Sequence, residues 1–270
     1  MSERSFDFYI VPTPIGNIQD ISFRAIDVLK NVDIIACEDT RTTQKLLNHY
    51  NIGTKCVSYH KYNERERVEY FLKELSEGKK IALVSDAGTP MICDPGNVVL
   101  RELIKSKYTV TSLPGACAVT TFLSQIPRED EEFTFIGFMP RGEKQISEVV
   151  KKYSDYNFVF YESPQRILDT LKTIQKMRPD AYVSLGRELS KLFEEVVSDE
   201  ISKVIEHFQG EIKGEIVCMI HKEKNSEEFD ITEKIKSLKA KGFRDKEISI
   251  ILAELFNANK NDVYKKSLEL

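Results

Sequence analysis

Residues 80–96 read KIALVSDAGTPMICDPG, and this stretch decides how the rest of the chain is interpreted. The apolar run 80–84 is typical of a buried strand. It ends abruptly in the small and turn-forming residues 85–90, which leave backbone N–H groups free to face a ligand. Open α/β sheets bind small molecules beyond the carboxyl ends of their strands. The segment therefore predicts a strand followed by a loop that binds a small polar ligand, because a plain strand–helix connection rarely needs this composition.

Strand-like apolar runs alternate with helix-like periods along the first half of the chain. The predicted strands are residues 8–11, 34–37, 56–59, 80–84 and 110–112. The predicted helices are residues 22–30, with Ser22 as the N-cap, then 42–50, 64–77, 97–105 and 116–125. Repeated strand–helix units imply a mostly parallel sheet that is covered on both faces.

The acidic, proline-containing stretch 125–132 interrupts this pattern, and we expect a domain boundary there. Beyond it the pattern predicts strands at 133–137, 158–161, 181–185 and 215–221, and helices at 146–153, 165–177 and 201–208, in a more mixed arrangement. A polar linker at 223–230 leads to a lysine-rich tail, whose helices 233–241 and 245–256 are expected to pack as a hairpin with the lysines outward. The sequence thus predicts α/β domains over residues 1–125 and 126–224 and a basic helical tail over 225–270.

Composition excludes several classes of protein. The formal net charge of −4 over 270 residues means that any contact with nucleic acid needs a local basic patch. The five cysteines and four histidines show no metal-ligand spacing, so we expect neither a metal site nor a disulfide framework. Nucleophile-elbow and P-loop motifs do not occur, which disfavours hydrolases and kinases. Apolar runs stay far below the ~20 residues of a membrane span, so we expect a soluble, cytoplasmic protein without a membrane partner.

Polar and turn-forming segments follow several predicted strands. The loop 12–17 stands where a nucleotide-binding loop would, yet it lacks the G-x-G-x-x-G pattern and is equally explained as a tight connection. Residues 114–116 either allow close approach of a ligand or serve tight packing. Residues 38–41 either orient a substrate or provide an N-cap, Asp39 or Thr40, beside a solvated arginine.

Segments 161–166 and 186–191 occupy the matching strand ends of the second half. Each brings a carboxylate beside a guanidinium, which forms either a structural ion pair or a grip for phosphate and ribose. A local positive patch is predicted from four cations: Arg41, Arg166, Arg187 and Lys191.

Taken in this order, the segments resemble the tetrapyrrole methylase family of S-adenosylmethionine-dependent methyltransferases. The resemblance runs from about Tyr9 to Ile220 and is carried by residues 13–17, 38–41, 83–90, 94–96, 114–115, 137–140, 161–164, Arg166, 187–189 and 213–215. Departures from the family pattern are Gln165, where we expected histidine, and Cys93 and Cys117, where we expected serine. The resemblance implies two α/β domains with the cofactor between them, usually in a homodimer.

The resemblance also implies a site and a reaction. S-adenosylmethionine is expected to contact the facing strands of the second domain and these residues of the first: Pro14, Ser85, Asp86, Ala87, Gly88, Thr89, Pro90, Pro114, Gly115 and Ala116. The expected reaction is 2′-O-methylation of a cytidine ribose in 16S ribosomal RNA, within the small ribosomal subunit. A base should assist by accepting the hydroxyl proton, and the residues leave three carboxylates open for this role: Glu38, Asp39 and Glu162. The alternatives are methylation of a small tetrapyrrole-like substrate and a non-catalytic RNA-binding or assembly factor.

Overall fold

The computed structural model describes residues 5–128, 131–223, 231–256 and 258–270. Residues 129–130 of the predicted boundary and residues 224–230 of the predicted linker lie outside the described residues. The chain forms two compact units, residues 1–222 and 223–270. The first unit contains both sheets, and a division of it at residue 125 stays a prediction.

The first sheet is parallel, as the strand–helix alternation predicts. Its strands in the described chain are β1 (Phe8–Ile10), β2 (Ile34–Cys37), β3 (Lys55–Ser58), β4 (Ile81–Val84) and β5 (Val110–Ser112), arranged in the order β3-β2-β4-β1-β5. The connecting helices are α1 (Phe23–Asn31), α2 (Thr40–His49), α3 (Glu64–Ser76), α4 (Asn97–Lys105) and α5 (Ala118–Leu123), with a short 3₁₀ helix at Ile18–Asp20. Every residue of β1, β2 and β4 is buried, which is typical of a sheet covered on both faces.

The second sheet is mixed, as expected. Its described strands are β6 (Thr134–Phe138), β7 (Phe158–Glu162), β8 (Tyr182–Arg187), β9 (Glu195–Glu200) and β10 (Ile216–Ile220), in the order β6-β7-β10-β8-β9. Only β6 and β7 pair in parallel among these strands. The helices of this half are α6 (Glu143–Lys152), α7 (Ile167–Met177) and α8 (Ile201–His207).

Strand β9 was missing from the sequence-based prediction. It lies at the edge of the sheet, and its sequence EVVSDE contains only two apolar residues, too few for a strand signal. Its pairing with β8 as a hairpin supplies the stabilisation that the local pattern does not show.

A hydrophobic cluster joins the two α/β halves within the first unit. Phe122 of α5 is fully buried in it, beside Val217 of β10. Gly186 of β8 makes this approach possible, because a Cβ there would lie 2.7 Å from the Phe122 ring. The halves therefore share a core.

The second unit differs from the predicted tail. It contains α9 (Ile231–Ala240), α10 (Asp245–Phe256) and α11 (Lys260–Glu269), whereas a hairpin of two helices was expected. Ile235, Ile248, Leu252 and Val263 form its core. The expectation that all lysines point outward is wrong for Lys239, whose Nζ lies 3.0 Å from Asp245 and also donates to the Ser267 carbonyl.

Candidate functional site

The loops after β1 and β4 interlock at the carboxyl end of the first sheet. The chain leaves β1 toward β2 on one side and β4 toward β5 on the other, so a crevice opens between these neighbouring strands. Thr13 and Gly88 exchange backbone hydrogen bonds of 2.9 and 3.0 Å, and Thr13 Oγ1 donates to the Ser85 carbonyl at 3.0 Å. Ser85 Oγ in turn donates to the Gly88 carbonyl at 3.1 Å. These bonds hold residues 85–90 in one conformation.

Glycine is required at position 88 by the backbone. Its φ is +78°, and a Cβ would lie 3.2 Å from Ile15 Cγ2. The loop after β5 supports the same turn, because Thr89 Oγ1 donates to the Ala116 carbonyl at 2.9 Å. Gly115 packs against Pro12, whose ring a Cβ would meet at 2.5 Å. These contacts therefore support tight packing as the role of residues 114–116, which is one of the two roles that the sequence allowed for them.

A cavity of about 620 Å³ opens beside this turn. Its wall includes Asp86, Ala87, Gly88 and Thr89 from the β4 loop, and Tyr161 and Glu162 from β7. Of the remaining positions predicted for the cofactor, Ser85 and Pro90 are buried behind the turn, and Pro14 and residues 114–116 adjoin it. The cavity thus receives residues from both sheets of the first unit.

Carboxylates form one side of the site. Asp86 and Asp94 belong to the cavity wall, and Glu38 is close enough to influence both. Burial, followed by the charge of Glu38, raises the pKa of Asp94 to about 6. Burial, followed by the charge of Asp86, also raises the pKa of Glu38. Asp94 was not among the predicted acids, although the quoted segment contains it.

Asp39 and Arg41 adopt the N-cap arrangement, one of the two interpretations of residues 38–41. Asp39 is the N-cap of α2: its Oδ1 accepts from the Arg41 amide at 2.8 Å. Arg41, 88% exposed, pairs with the same carboxylate at 2.7 Å. Hydrogen bonding from the Arg41 side chain lowers the pKa of Asp39 to about 2, so this carboxylate is a weak proton acceptor.

Glu162 is buried, and its carboxylate contacts three partners within the protein. Its carboxylate accepts from the Ser163 amide at 2.7 Å and from Thr170 Oγ1 at 2.9 Å, and it lies 3.1 Å from Arg166 Nη2. The same Arg166 nitrogen donates to the Pro140 carbonyl at 2.7 Å. These contacts fix the β7 side of the cavity.

Arg187 and Lys191 also have partners in the described chain. Arg187 pairs with Glu195 of the unpredicted strand β9 at 2.9 Å, although the sequence suggested Glu188 as its neighbour. Lys191 instead pairs with Glu188 at 2.8 Å and with Glu215 at 2.9 Å. Both cations therefore already occupy ion pairs.

The end of β6 and the segment after it contribute residues that were not predicted for the site. Phe138 and Arg141 belong to the cavity wall, and the Phe138 ring lies 5.6 Å from that of Tyr161. A turn of the backbone at Gly137, with φ +73°, interrupts the register of β6 with β7. Such an irregularity is not visible in the sequence pattern, although the 137–140 segment contributed to the resemblance.

Residues 7–205 match the profile of the family described as Tetrapyrrole (Corrin/Porphyrin) Methylases. The chain belongs to this family. It is a methyltransferase, and the family uses S-adenosylmethionine as its methyl donor. The resemblance drawn from the sequence segments and the predicted fold class are both confirmed.

Curated relatives span nearly the whole chain. A protein of Hydrogenobaculum sp. named Ribosomal RNA small subunit methyltransferase I is 44% identical over 219 residues, covering 80% of this chain and 95% of its own length. Proteins of the same name from Halalkalibacterium halodurans and Escherichia coli O157:H7 are 40% and 38% identical. They cover 95% and 97% of this chain, and 92% and 94% of their own lengths.

Solved structures share the fold. Diphthine synthase superposes with a TM-score of 0.61 at 14% identity, covering 80% of this chain and 89% of that chain. Uroporphyrin-III C-methyltransferase from Thermus thermophilus, in a complex with S-adenosyl homocysteine, gives 0.56 at 15% identity, covering 78% and 96%. Within the described residues, the helices are too short or too polar to span a bilayer, and no cluster of potential metal ligands occurs.

Proposed function

We propose that this chain transfers the methyl group of S-adenosylmethionine to a cytidine ribose 2′-hydroxyl in small-subunit ribosomal RNA. The observation that carries the proposal is the cavity beside the β4 loop, which joins small-residue turns, carboxylates and an arginine in one wall. The names of the relatives support the choice of ribosomal RNA as substrate.

The cavity is suited to the cofactor. Its volume of about 620 Å³ lies within the ~300–1,000 Å³ of typical small-molecule sites. Ala87, Gly88 and Thr89 present small side chains and backbone to it, and we propose that they hold the cofactor while residues 12–15 and 114–116 support their turn. When bound, S-adenosylmethionine supplies an electrophilic methyl group on a sulfonium sulfur.

Asp94 is our choice of proton acceptor. A ribose hydroxyl is a weak acid, so a base that accepts its proton late in the reaction should contribute roughly 10²–10⁴-fold. A carboxyl with a pKa near 6 is mostly ionised at neutral pH yet more basic than an ordinary aspartate. Of the candidates named from the sequence, Asp39 is committed to Arg41 and Glu162 to three partners, which makes both weaker candidates.

We propose that Glu38 assists the reaction indirectly, through its effect on the pKa of Asp94. Its negative charge raises the pKa of Asp94, and therefore strengthens Asp94 as a base. We propose that Glu38 and Asp86 tune the acceptor while Asp94 contacts the substrate. A nucleotide in a loop or single strand is the expected substrate form, because a paired nucleotide cannot enter the cavity without leaving its helix.

Labelled S-adenosylmethionine tests this proposal. The chain is incubated with small ribosomal subunits from a strain that lacks the modification, and in parallel with a small tetrapyrrole. Label in the ribosomal RNA is expected. Label in the tetrapyrrole alone would replace the proposal with the small-substrate alternative, and cofactor binding without transfer to either would support a non-catalytic factor.

A further inference from the structure

The cavity wall contains an exposed aromatic ring and an exposed guanidinium in addition to its acidic residues. Phe138 ends strand β6, contributes to the cavity wall and is 63% exposed. Its edge-on contact with Tyr161, at an interplanar angle of 60°, braces the ring. A large exposed aromatic held in one place is an unusual use of apolar surface unless a ligand covers it.

Local backbone geometry sets the position of Phe138. β6 pairs regularly with β7 at Thr134 and Phe135, and the register then shifts before Phe138 meets Tyr161. Gly137, with φ +73°, makes this shift at low cost because it has no side chain. Bulges of this kind redirect side chains next to binding sites.

Arg141 differs from the other cations of the site. Arg166 is bound to Glu162 and the Pro140 carbonyl, whereas Arg141 has no hydrogen bond or ion pair within the described residues. It is exposed, contributes to the cavity wall, and directly precedes Gly142, the N-cap of α6. The partial positive charge at the start of this helix adds to that of the guanidinium. An anion is the natural partner for this position.

The combination matches a nucleotide. Single-stranded nucleic acids are bound by stacking bases on aromatic side chains and by pairing phosphates with cations. We propose that Phe138 and Arg141 form the substrate-nucleotide subsite, with the base stacked on Phe138 and a phosphate paired with Arg141. This inference rests on the proposed function and names the residues that would hold its RNA substrate. The phosphate roles predicted for Arg166, Arg187 and Lys191 would require existing ion pairs to break, whereas Arg141 needs no such exchange.

Equilibrium binding of a short single-stranded RNA that carries one fluorescent cytidine analogue tests the subsite. Phe138→Ala should weaken binding about 5- to 100-fold and abolish the quenching that stacking causes, while Phe138→Tyr should retain both. Arg141→Gln should weaken binding and reduce the salt slope by about 1, and Arg141→Lys should restore most of that slope. Matched controls are Phe23→Ala, at a position 93% exposed on α1, and Arg101→Gln on α4, which should bind as the unaltered chain does.

Two further readouts separate the possible failures. Calorimetric binding of S-adenosylhomocysteine should be the same in all variants. Suppose that the unaltered chain methylates ribosomal RNA. The subsite is then refuted if Phe138→Ala and Arg141→Gln bind the RNA as the unaltered chain does. It is also refuted if these variants lose binding of S-adenosylhomocysteine instead of binding of RNA. If the unaltered chain binds S-adenosylhomocysteine but neither binds the oligonucleotide nor methylates ribosomal RNA, both the proposed function and the subsite are refuted.

Discussion

At the scale of single residues, the chemistry of the site depends on which carboxylate is free to accept a proton. Asp39 and Glu162 both bring negative charge to strand ends, as the sequence suggested, but each is held by an arginine. The burial of Asp94, followed by the like charges of its neighbours Glu38 and Asp86, raises its pKa and so favours its protonated form. An elevated carboxyl pKa in a cavity wall is a frequent mark of a functional acid or base.

Asp94→Asn should lower kcat by about 10²–10⁴-fold, because the amide cannot accept the hydroxyl proton. For the unaltered chain, kcat should fall as the pH decreases below about 6, where Asp94 becomes protonated. The measurement is single-turnover methyl transfer to ribosomal subunits as a function of pH. A variant that keeps the full rate with the same pH profile would exclude Asp94 as the base.

Stability of the same variant provides the control. A carboxyl with a raised pKa stabilises the fold only while it is protonated, so its contribution is complete below its ordinary pKa of 3.8 and is lost as the pH rises through about 6. Asp94→Asn should therefore unfold at a temperature about 2–4 °C higher at pH 8, corresponding to about 1 kcal/mol after screening by solvent. The difference should disappear near pH 4. A variant that is less stable at pH 8 would show that lost activity reflects damage to the fold.

Ala87→Leu should weaken S-adenosylmethionine binding by at least about 10-fold, because the longer side chain extends into the cavity from an exposed position. Isothermal calorimetry measures the affinity, and circular dichroism verifies the fold. Ala240→Leu, at an exposed position of α9, is the matched control. Unchanged affinity in a folded Ala87→Leu variant would contradict a cofactor role for the 85–90 turn. Gly88 is a poor probe, since its positive φ makes any substitution strained.

At the scale of elements, the shared core around α5 keeps the cavity walls together. Phe122 packs against the paired residues Gly186 and Val217, while Cys117 and Ala118 at the start of α5 contribute to the cavity. Loosening this contact should therefore affect both stability and the site.

Phe122→Ala should lower the free energy of unfolding by about 3–5 kcal/mol, the usual cost of removing a fully buried ring. Urea denaturation measures the change, and Phe23→Ala, at an exposed position, should stay within about 0.5 kcal/mol of the unaltered chain. A loss below about 1 kcal/mol for Phe122→Ala would mean that α5 is not a major support of the shared core.

Regular elements of the first half could be predicted because their patterns are local. β2 was predicted with its observed bounds, and Ser22 caps α1 by accepting from the Ala25 amide at 3.1 Å. What could not be predicted depends on partners distant in the chain. Arg187 pairs with Glu195 only because β9 folds back on β8, and the exposed position of Phe138 depends on a shifted register with β7. Similarly, the pKa of Asp94 depends on Glu38, which belongs to another strand end.

At the scale of the whole molecule, the helices of the second unit, within residues 231–270, carry a charge opposite to that of the chain, although the unit as a whole is balanced by the acidic residues before them. Residues 231–270 contain nine basic and six acidic residues, whereas the full chain has a net charge of −4. Lys239 is paired with Asp245 within this unit, and many of the other cations are exposed. A compact helical segment with an excess of exposed cations is suited to attracting RNA.

Ending the chain after Asp230 should leave S-adenosylhomocysteine binding unchanged and lower methylation of ribosomal subunits, most clearly at low salt, where contacts with phosphate are least screened. The physical reason is the loss of cations that would contact phosphate. Calorimetry and a salt series of initial rates are the measurements. A truncated chain that matches the full chain across the salt series would show that the tail does not recruit RNA.

We propose that methyl transfer to a ribose of ribosomal RNA takes place in the cavity beside the β4 loop. The most direct test is mass spectrometry of nucleosides from small-subunit RNA treated with isotopically labelled S-adenosylmethionine, using the unaltered chain and Ala87→Leu. We expect labelled 2′-O-methylcytidine with the unaltered chain and little or none with Ala87→Leu. A label on a base, or equal labelling by Ala87→Leu, would contradict this proposal.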